Sequence, residues 1–215
     1  MSLDKFYATK SNKRLHRWGF KDSGFELTGE KTVTFSGDRY EVSGTVMPDF
    51  IPYIESVLGI DFDKKDQISP VDKKPIKPSK LSPEFFNHLK NSFDADRYTV
   101  DDMERLIHSH GQETFKDVYK VLYNSIESTV DLVFYPESED EVKAMVEIAV
   151  KFNICLIPYG GGTNVTRALT IPENEDRSVI SVDMRRMSKI EWINKEDRRI
   201  CVQSGITGGE LIELL

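Results

Sequence analysis

The chain has 215 residues, of which 39% are hydrophobic and 30% charged, a composition typical of a soluble globular protein with a buried core. Its formal net charge of −7 argues against a broad nucleic-acid-binding surface, so no nucleic acid is expected among its partners. No long apolar run predicts a membrane span, and the amino-terminal stretch lacks the apolar segment of a secretory signal.

The two cysteines, Cys155 and Cys201, both fall inside apolar, strand-like runs. This placement favours buried, reduced thiols over a disulfide or a reactive thiol. Neither cysteine lies beside clustered histidines or cysteines, so the sequence predicts no metal site.

The amino-terminal part of the chain is predicted to contain two short strands and a helix. The strands lie near residues 33–35 and 40–43, and a turn at residues 37–38 joins them. Asp49 is expected to cap a helix that ends at Gly59.

Residues 64–80 hold six lysines and three prolines. Such a segment buries little surface, so we expect an extended surface connector. A basic docking patch is the alternative interpretation.

Three helices are predicted after this connector. A serine followed by a proline starts the first, over residues 82–92, and a capping box at residues 99–102 opens the second. The third covers residues 114–123. His108 and His110 follow the second helix, where solvated or capping histidines are commoner than catalytic or metal-binding ones.

From about residue 126 the pattern alternates between strand and helix. An apolar strand at residues 132–135 is followed by a capping box at Ser138 and Glu141, and then by a helix whose apolar residues recur at i, i+3, i+4 and i+7. A second strand at residues 154–157 completes a βαβ unit. The two strands are therefore expected to be parallel, with a right-handed crossover.

Three successive glycines follow the second of these strands. Because glycine has no Cβ, this main chain can turn sharply, take positive φ and bring its N–H groups against a ligand. A row of amides around one concavity binds anions, and diphosphate is the expected ligand; a plain tight turn is the alternative. The spacing fits neither the Rossmann fingerprint nor the Walker loop. The candidate cofactor-binding residues are Pro158, Tyr159, Gly160, Gly161, Gly162, Thr163 and Asn164.

The end of the sequence predicts one more strand, a hairpin and a helix. The strand covers residues 179–183, and alternating apolar residues at 190–192 and 200–202 predict an antiparallel hairpin. Thr207 and Glu210 form another capping box. The helix that it opens stops after about two turns, so we expect the sequence to be a fragment of a longer fold.

Four stretches of this second half together resemble the flavin-binding domain of the vanillyl-alcohol oxidase / p-cresol methylhydroxylase (PCMH) superfamily. They are residues 130–133, 158–165, 181–184 and 205–208. The resemblance implies that Pro158 to Asn164 wrap the diphosphate of FAD. It also implies an α+β fold, in which a helical amino-terminal region precedes the first α/β subdomain of a truncated PCMH-type FAD-binding domain.

Motifs in the first half narrow the resemblance to the alkyldihydroxyacetonephosphate synthases. They are Trp-Gly-Phe-x-Asp-Ser-x-Phe at 18–25, Gly-x-Arg-Tyr-x-x-Ser-Gly at 37–44, Leu-Gly-Ile at 58–60 and His-Ser-His-Gly at 108–111. The sequence departs from the family at 128–131, where Ser-Thr-Val-Asp stands in place of Arg-x-Pro-Asp. The implied domains are a mostly helical region over 1–125, with its connector at 64–80, and an FAD-binding domain over 126–215 that is incomplete at its carboxyl end.

The resemblance implies a transferase that exchanges the acyl chain of acyl-dihydroxyacetone phosphate for a long-chain fatty alcohol in ether-lipid biosynthesis. FAD would act there as an electron sink without net redox change, bound non-covalently because the glycine loop has no histidine for a covalent tether. The family also implies a homodimer, peripheral membrane association, and location in the peroxisome or a glycosome-like organelle. No catalytic residue is assigned, because the family's catalytic tyrosine and histidine cluster have no counterpart in this sequence.

Two alternative functions stay open at this point. The first is an FAD-dependent 2-hydroxy-acid dehydrogenase of the D-lactate type, which must pass electrons onward whereas a synthase need not. The second is a catalytically inactive fragment that acts as an interaction domain. Residues 1–215 by themselves are expected to bind FAD weakly and to lack synthase activity.

Overall fold

The computed structural model of the protein describes residues 19–37, 40–62, 75–111, 114–123 and 125–215. These residues fall into two compact units. The larger unit holds Pro75–Lys120 and Ser125–Leu215, and the smaller holds the described part of residues 12–74 together with residues 121–123. Several predicted features lie outside the described residues, namely Trp18, the turn position Asp38, Arg39 of the second motif and connector residues 64–74.

The smaller unit is built on an antiparallel sheet of three strands. Their order is β1 (Ser23–Leu27), β2 (Val33–Gly37) and β3 (Val46–Met47). Phe25 faces Phe35 across β1 and β2, and their rings lie 4.9 Å apart in an edge-to-face arrangement that stabilises the pair.

The prediction of a strand at residues 40–43 is wrong. The backbone there turns instead, and the Ser43 amide donates to the Tyr40 carbonyl at 3.0 Å. Strand β2 pairs instead with β3 and β1. The β1 sequence, Ser-Gly-Phe-Glu-Leu, alternates too weakly between apolar and polar residues to reveal a strand.

Helix α1 (Phe50–Leu58) follows this sheet within the predicted bounds. Gly59 ends it with φ of 66°, a left-handed conformation that glycine adopts without steric cost. The Asp49 side chain makes no capping hydrogen bond, so its predicted role is wrong although the position is right. Lys31 Nζ lies 2.8 Å from Glu55 Oε1 and ties the helix to the segment before β2.

Five further α-helices follow in the part of the chain that the structure describes. They are α2 (Pro83–Ser92), α3 (Asp102–Ile107), α4 (Phe115–Leu122), α5 (Glu139–Phe152) and α6 (Gly208–Leu214). The predicted helices after the connector are thereby confirmed. None of the helices among the described residues is long and apolar enough to cross a membrane.

The caps of these helices agree only partly with the predictions. The capping box at 99–102 is wrong, because Asp101 caps α3 instead, accepting hydrogen bonds from the amides of Met103 and Glu104. At α5, Ser138 accepts from the Glu141 amide as predicted, but the Glu141 carboxylate accepts from the Glu137 amide, one residue before the cap. The box of Thr207 and Glu210 at α6 is confirmed in both of its bonds.

The main sheet of the larger unit has the order β4-β5-β7-β6. Its strands are β4 (Tyr98–Thr99), β5 (Leu132–Phe134), β6 (Cys155–Tyr159) and β7 (Val179–Asp183). Strand β7 is parallel to both β5 and β6 and lies between them. The two strands of the predicted βαβ unit are therefore parallel as expected, but they are not neighbours.

Side chains alternate across this sheet and pack on both faces. On one face, α2 and α5 cover the sheet with a cluster of buried apolar residues: Phe85, Leu89, Leu132, Phe134, Met145, Ile148, Ile180 and Val182. The opposite face carries Val130, Val133, Tyr135, Ile157, Tyr159, Leu169 and Val179. The glycine loop begins directly after Tyr159, whose side chain belongs to this second cluster.

The predicted hairpin forms a separate antiparallel pair, β8 (Ile190–Asn194) and β9 (Arg199–Val202). Cys201 lies in β9 and Cys155 in β6, and both are free, partly buried thiols. Pro75–Lys80, the described end of the connector, forms neither helix nor strand.

Asp131 fastens three segments of the larger unit together. The residue is 1% exposed and directly precedes β5. Its Oδ1 accepts a hydrogen bond from the Lys80 amide at 2.6 Å, and its Oδ2 accepts one from the Val179 amide at 2.8 Å. One carboxylate thus holds the segment before α2 and the start of β7 against the start of β5.

Replacing Asp131 with alanine is expected to lower the free energy of unfolding by about 2 to 4 kcal/mol, because two amide donors lose their acceptor. Asp131→Asn keeps one acceptor oxygen, so we expect it to lose about half as much. Urea denaturation followed by circular dichroism measures both changes. Losses near zero for both variants would contradict this account of the carboxylate.

Candidate functional site

The candidate site lies at the carboxyl ends of the parallel strands, the edge at which α/β sheets bind ligands. Tyr159 at the end of β6 pairs in register with Asp183 at the end of β7. Tyr135 follows β5 directly and lies at the same level, since Phe134 pairs with Val182. Three side chains at strand ends, with the glycine loop after one of them, therefore share this edge.

The glycine loop presents bare main chain. Gly160 and Gly161 are exposed, whereas Gly162 is buried and has a φ of 71°, a conformation that favours glycine. A Cβ built on Gly160 meets no atom within 4 Å, and one built on Gly161 meets only Thr163 Cγ2, at 3.9 Å. The side of the backbone that a larger residue would occupy is open for a ligand to approach.

The amides of this loop bear directly on the anion-binding prediction. Neither Gly160 nor Gly162 donates a main-chain hydrogen bond to another residue within the described ranges. Amides of this kind can turn toward an anion without giving up a bond inside the protein. The amides of Gly160 and Gly162 are therefore compatible with the predicted anion site.

Asn164 closes the loop from inside the protein. It is 6% exposed and has a φ of 63°. Its Nδ2 donates to Asp117 Oδ2 at 3.1 Å, and its Oδ1 accepts from the Leu169 amide at 2.8 Å. Because both ends of this amide are engaged, its side chain shapes the loop, and any contact of Asn164 with a ligand falls to its main chain. Pro158 and Thr163 are exposed.

A buried charged cluster lies beside the loop and consists of His108, Asp183 and Arg185. His108 Nε2 lies 2.7 Å from Asp183 Oδ2, and both side chains are fully buried. Arg185 donates to the same carboxylate from Nε at 2.8 Å and from Nη2. A buried carboxylate is stabilised only when it is paired and hydrogen-bonded in this way.

The His108 ring has an acceptor oxygen at each nitrogen. Nδ1 lies 2.7 Å from the Glu104 carbonyl oxygen, and Nε2 faces the Asp183 carboxylate. A ring nitrogen that carries a proton donates it to the oxygen that this nitrogen faces. The ring then joins α3 to the end of β7.

The electrostatics of the cluster favour charge on Asp183. Burial acts to raise the pKa of Asp183, but hydrogen bonds from His108 and Arg185 outweigh it and hold this pKa below its ordinary value of 3.8. Burial acts to lower the pKa of Arg185, and its bond to Asp183 more than offsets that effect. The two residues therefore form an ion pair in which Asp183 is buried and Arg185 partly buried.

Two tyrosines next to the cluster stay protonated. Burial, and then the charge of Glu104, raise the pKa of Tyr135 far above its usual range, and the Tyr135 hydroxyl donates to Glu104 Oε2 at 3.1 Å. Burial and the charge of Asp183 raise the pKa of Tyr159 in the same way. Neither phenol is therefore a candidate base.

The two histidines singled out in the sequence are buried rather than solvated. His108 is 1% exposed and His110 5% exposed, and His110 Nδ1 lies 2.9 Å from the Gly111 carbonyl oxygen. Within the described ranges no group of His, Cys, Asp and Glu side chains is arranged to hold a metal ion. The structure assigns His108 to the charged cluster.

Sequence reasoning missed Tyr135, Asp183 and Arg185. A signal was present, because Tyr135 and Asp183 each stand at the carboxyl end of a predicted strand and parallel strands bring such ends together. The pairing of Asp183 with His108 had no such signal, since 75 residues separate them along the chain.

The pKa of Asp183 is lower in the folded state than in the unfolded state, where it is near 3.8. The ionised carboxylate therefore stabilises the fold fully above pH 3.8, and this stabilisation is lost as the pH falls through the folded-state pKa. The free energy of unfolding of wild type is expected to exceed that of Asp183→Asn by about 3 to 5 kcal/mol at pH 5. At pH 3 the difference is expected to be smaller. The exposed Asp176→Asn is the matched control. Chemical denaturation at both pH values measures the difference, and a gap independent of pH would contradict the assignment.

Comparison with known proteins places these features in a family. Residues 130–215 match a family model described as an FAD binding domain. The chain is 39% identical over 201 residues to the alkyldihydroxyacetonephosphate synthase of Caenorhabditis elegans, a match that covers 90% of this chain and 32% of that protein. It is 32% identical over 179 residues to the synthase of Dictyostelium discoideum, with coverage of 80% and 29%.

A solved structure of an alkyldihydroxyacetonephosphate synthase shares the fold. The TM-score is 0.80 at 28% identity, and the match covers 94% of this chain and 38% of that one. The chain thus spans about a third of the length of the relatives it matches. This agreement of sequence and fold confirms the α+β prediction and the FAD-binding character of the second half. The chain therefore belongs to the alkyldihydroxyacetonephosphate synthase family of the PCMH-type flavoproteins.

Proposed function

We propose that this chain contributes the diphosphate-binding part of an FAD site in an alkyldihydroxyacetonephosphate synthase. The observation that carries the proposal is the open main chain of Gly160 and Gly161 at the carboxyl ends of the parallel strands. A bare glycine backbone lets an anion approach the amides closely.

The proposed cofactor-binding stretch runs from Pro158 to Asn164. Gly160, Gly161 and Gly162 would offer main-chain amides, and the exposed Thr163 would add a hydroxyl. Tyr159 and the Asn164 side chain are buried, so they would support the loop rather than contact the ligand. We propose non-covalent FAD, because none of these residues is a histidine or cysteine that could form a tether.

The proposed reaction is the exchange of the acyl chain of acyl-dihydroxyacetone phosphate for a long-chain fatty alcohol, without net redox change. Bound FAD would supply an electron sink for the substrate carbon. The names of the relatives support an alkyldihydroxyacetonephosphate synthase reaction. On the family resemblance alone, we also propose a homodimer, peripheral membrane association and a peroxisomal or glycosome-like location. We further propose the domain boundary at residues 125–126, shortly before the FAD binding domain match begins.

In the full-length gene product, Gly161→Val is expected to weaken binding of FAD at least about tenfold, because its branched side chain would fill the open approach to the loop. Gly209→Val is the matched control, since a Cβ at Gly209 also meets nothing within 4 Å but lies in α6. Quenching of FAD fluorescence measures the dissociation constants. Equal affinity in wild type and Gly161→Val would show that the diphosphate binds elsewhere.

Turnover distinguishes the synthase from a dehydrogenase on the same scaffold. The full-length gene product is expected to convert acyl-dihydroxyacetone phosphate and hexadecanol while the flavin absorbance stays oxidised at steady state. Bleaching of the flavin by D-lactate, without any alkyl transfer, would contradict the proposal and favour a 2-hydroxy-acid dehydrogenase.

A further inference from the structure

We propose that residues 108–111, between α3 and α4, form a positioning element for the glycine loop. The inference rests on the proposed role of that loop in binding the diphosphate of FAD. These residues precede the stretch that matches the FAD binding domain, residues 130–215. The proposed positioning element therefore lies outside the matched stretch. Residues 108–111 contact the loop on both sides of its glycines.

The first contact is made by Gly111, against the carboxyl side of the loop. A Cβ built on Gly111 would lie 2.9 Å from the Thr163 carbonyl oxygen, 2.9 Å from Asp117 Oδ2, and closer still to Asn164 Cβ. Two of these three neighbours belong to the loop itself. Only glycine therefore lets this backbone lie against the loop without displacing it.

The same neighbours are joined by a hydrogen bond. Asn164 Nδ2 donates to Asp117 Oδ2, and Asp117 lies in α4, directly after the positioning segment. Gly111 fits between the two partners of this bond. A larger residue at 111 would press on the carboxylate and on Asn164 together.

The second contact is made by His108, against the amino side of the loop. Its ring centroid lies 4.3 Å from that of Tyr159, the residue directly before Gly160. His108 cannot yield easily, because its ring is fully buried and held by the Glu104 carbonyl and the Asp183 carboxylate. The ring therefore fixes where β6 ends and the loop begins.

These two contacts bracket Gly160 and Gly161, which have no side chains with which to pack against the rest of the protein. Glycine loses the most conformational freedom on ordering, so a loop held at both ends costs less to order when a ligand binds. Residues 108–111 thus act through the loop and do not themselves contact the ligand.

Gly111→Ala tests the inference, with Gly209→Ala as the matched control in open space. We expect Gly111→Ala to weaken FAD binding about tenfold, and to speed hydrogen exchange of the amides in residues 160–166. The control should change neither. If Gly111→Ala does not fold, His108→Gln takes its place, since it removes the ring beneath Tyr159.

A rescue experiment separates positioning from a general loss of stability. Asn164→Gly removes the Cβ nearest to the new methyl group, at a positive φ that glycine accepts. Adding Gly111→Ala to Asn164→Gly is therefore expected to weaken FAD binding less than adding it to wild type. If the losses in FAD-binding free energy caused by Gly111→Ala and Asn164→Gly are strictly additive, residues 111 and 164 do not act together, which would contradict the inference.

The two readouts keep this inference distinct from the proposed function. If wild type binds FAD and Gly111→Ala binds it equally well with unchanged exchange, the positioning role is overturned and the cofactor role stands. If the full-length wild-type protein binds no FAD, the proposed function fails, and hydrogen exchange alone tests the positioning role. Faster exchange in residues 160–166 would then support positioning, and unchanged exchange would overturn it.

Discussion

The hydrogen bond between His108 and Asp183 is the contact on which the candidate site depends. It joins α3 to the end of β7, the middle strand of the three parallel ones, and both side chains are fully buried. Arg185 balances the carboxylate from the other side. A charge placed in the interior destabilises a fold unless its partners are fixed, so this cluster requires one arrangement of helix and strand at the edge where the loop leaves the sheet.

That arrangement explains how a stretch of glycines can serve as a specific site. Glycine supplies close approach of backbone to ligand, but it supplies no packing that would hold a loop in shape. In this protein the shape comes from the flanks, with Tyr159 resting on His108 and Asn164 bonded to Asp117 and Leu169. Buried side chains thus hold the loop at both ends, and the main chain of Gly160 and Gly161 between them is exposed.

Much of the fold could be predicted from local pattern, and the errors share a physical cause. The apolar periodicity of α5 and the mostly apolar, β-branched sequence Val-Ile-Ser-Val of β7 identify these elements directly, because each pattern reflects the surface that the element buries. The order β4-β5-β7-β6 could not be deduced, since it depends on which strands meet after the chain has folded. The cap of α3 was predicted at Thr99 but is Asp101. Both residue types are preferred at a helix N-cap, so the local sequence does not distinguish between them. The structural role of the Asn164 side chain could not be predicted either, because it depends on a hydrogen bond to Asp117, 47 residues away along the chain.

The central claim is that the main chain of residues 160–162 binds the diphosphate of FAD. Selective labelling of the glycines with nitrogen-15 gives one amide signal for each of the 13 glycines, and a titration with FAD reports on each of them. The account predicts that the signals of Gly160, Gly161 and Gly162 move most and that ADP reproduces much of the change. Signals that stay still at these three positions while others move would contradict it.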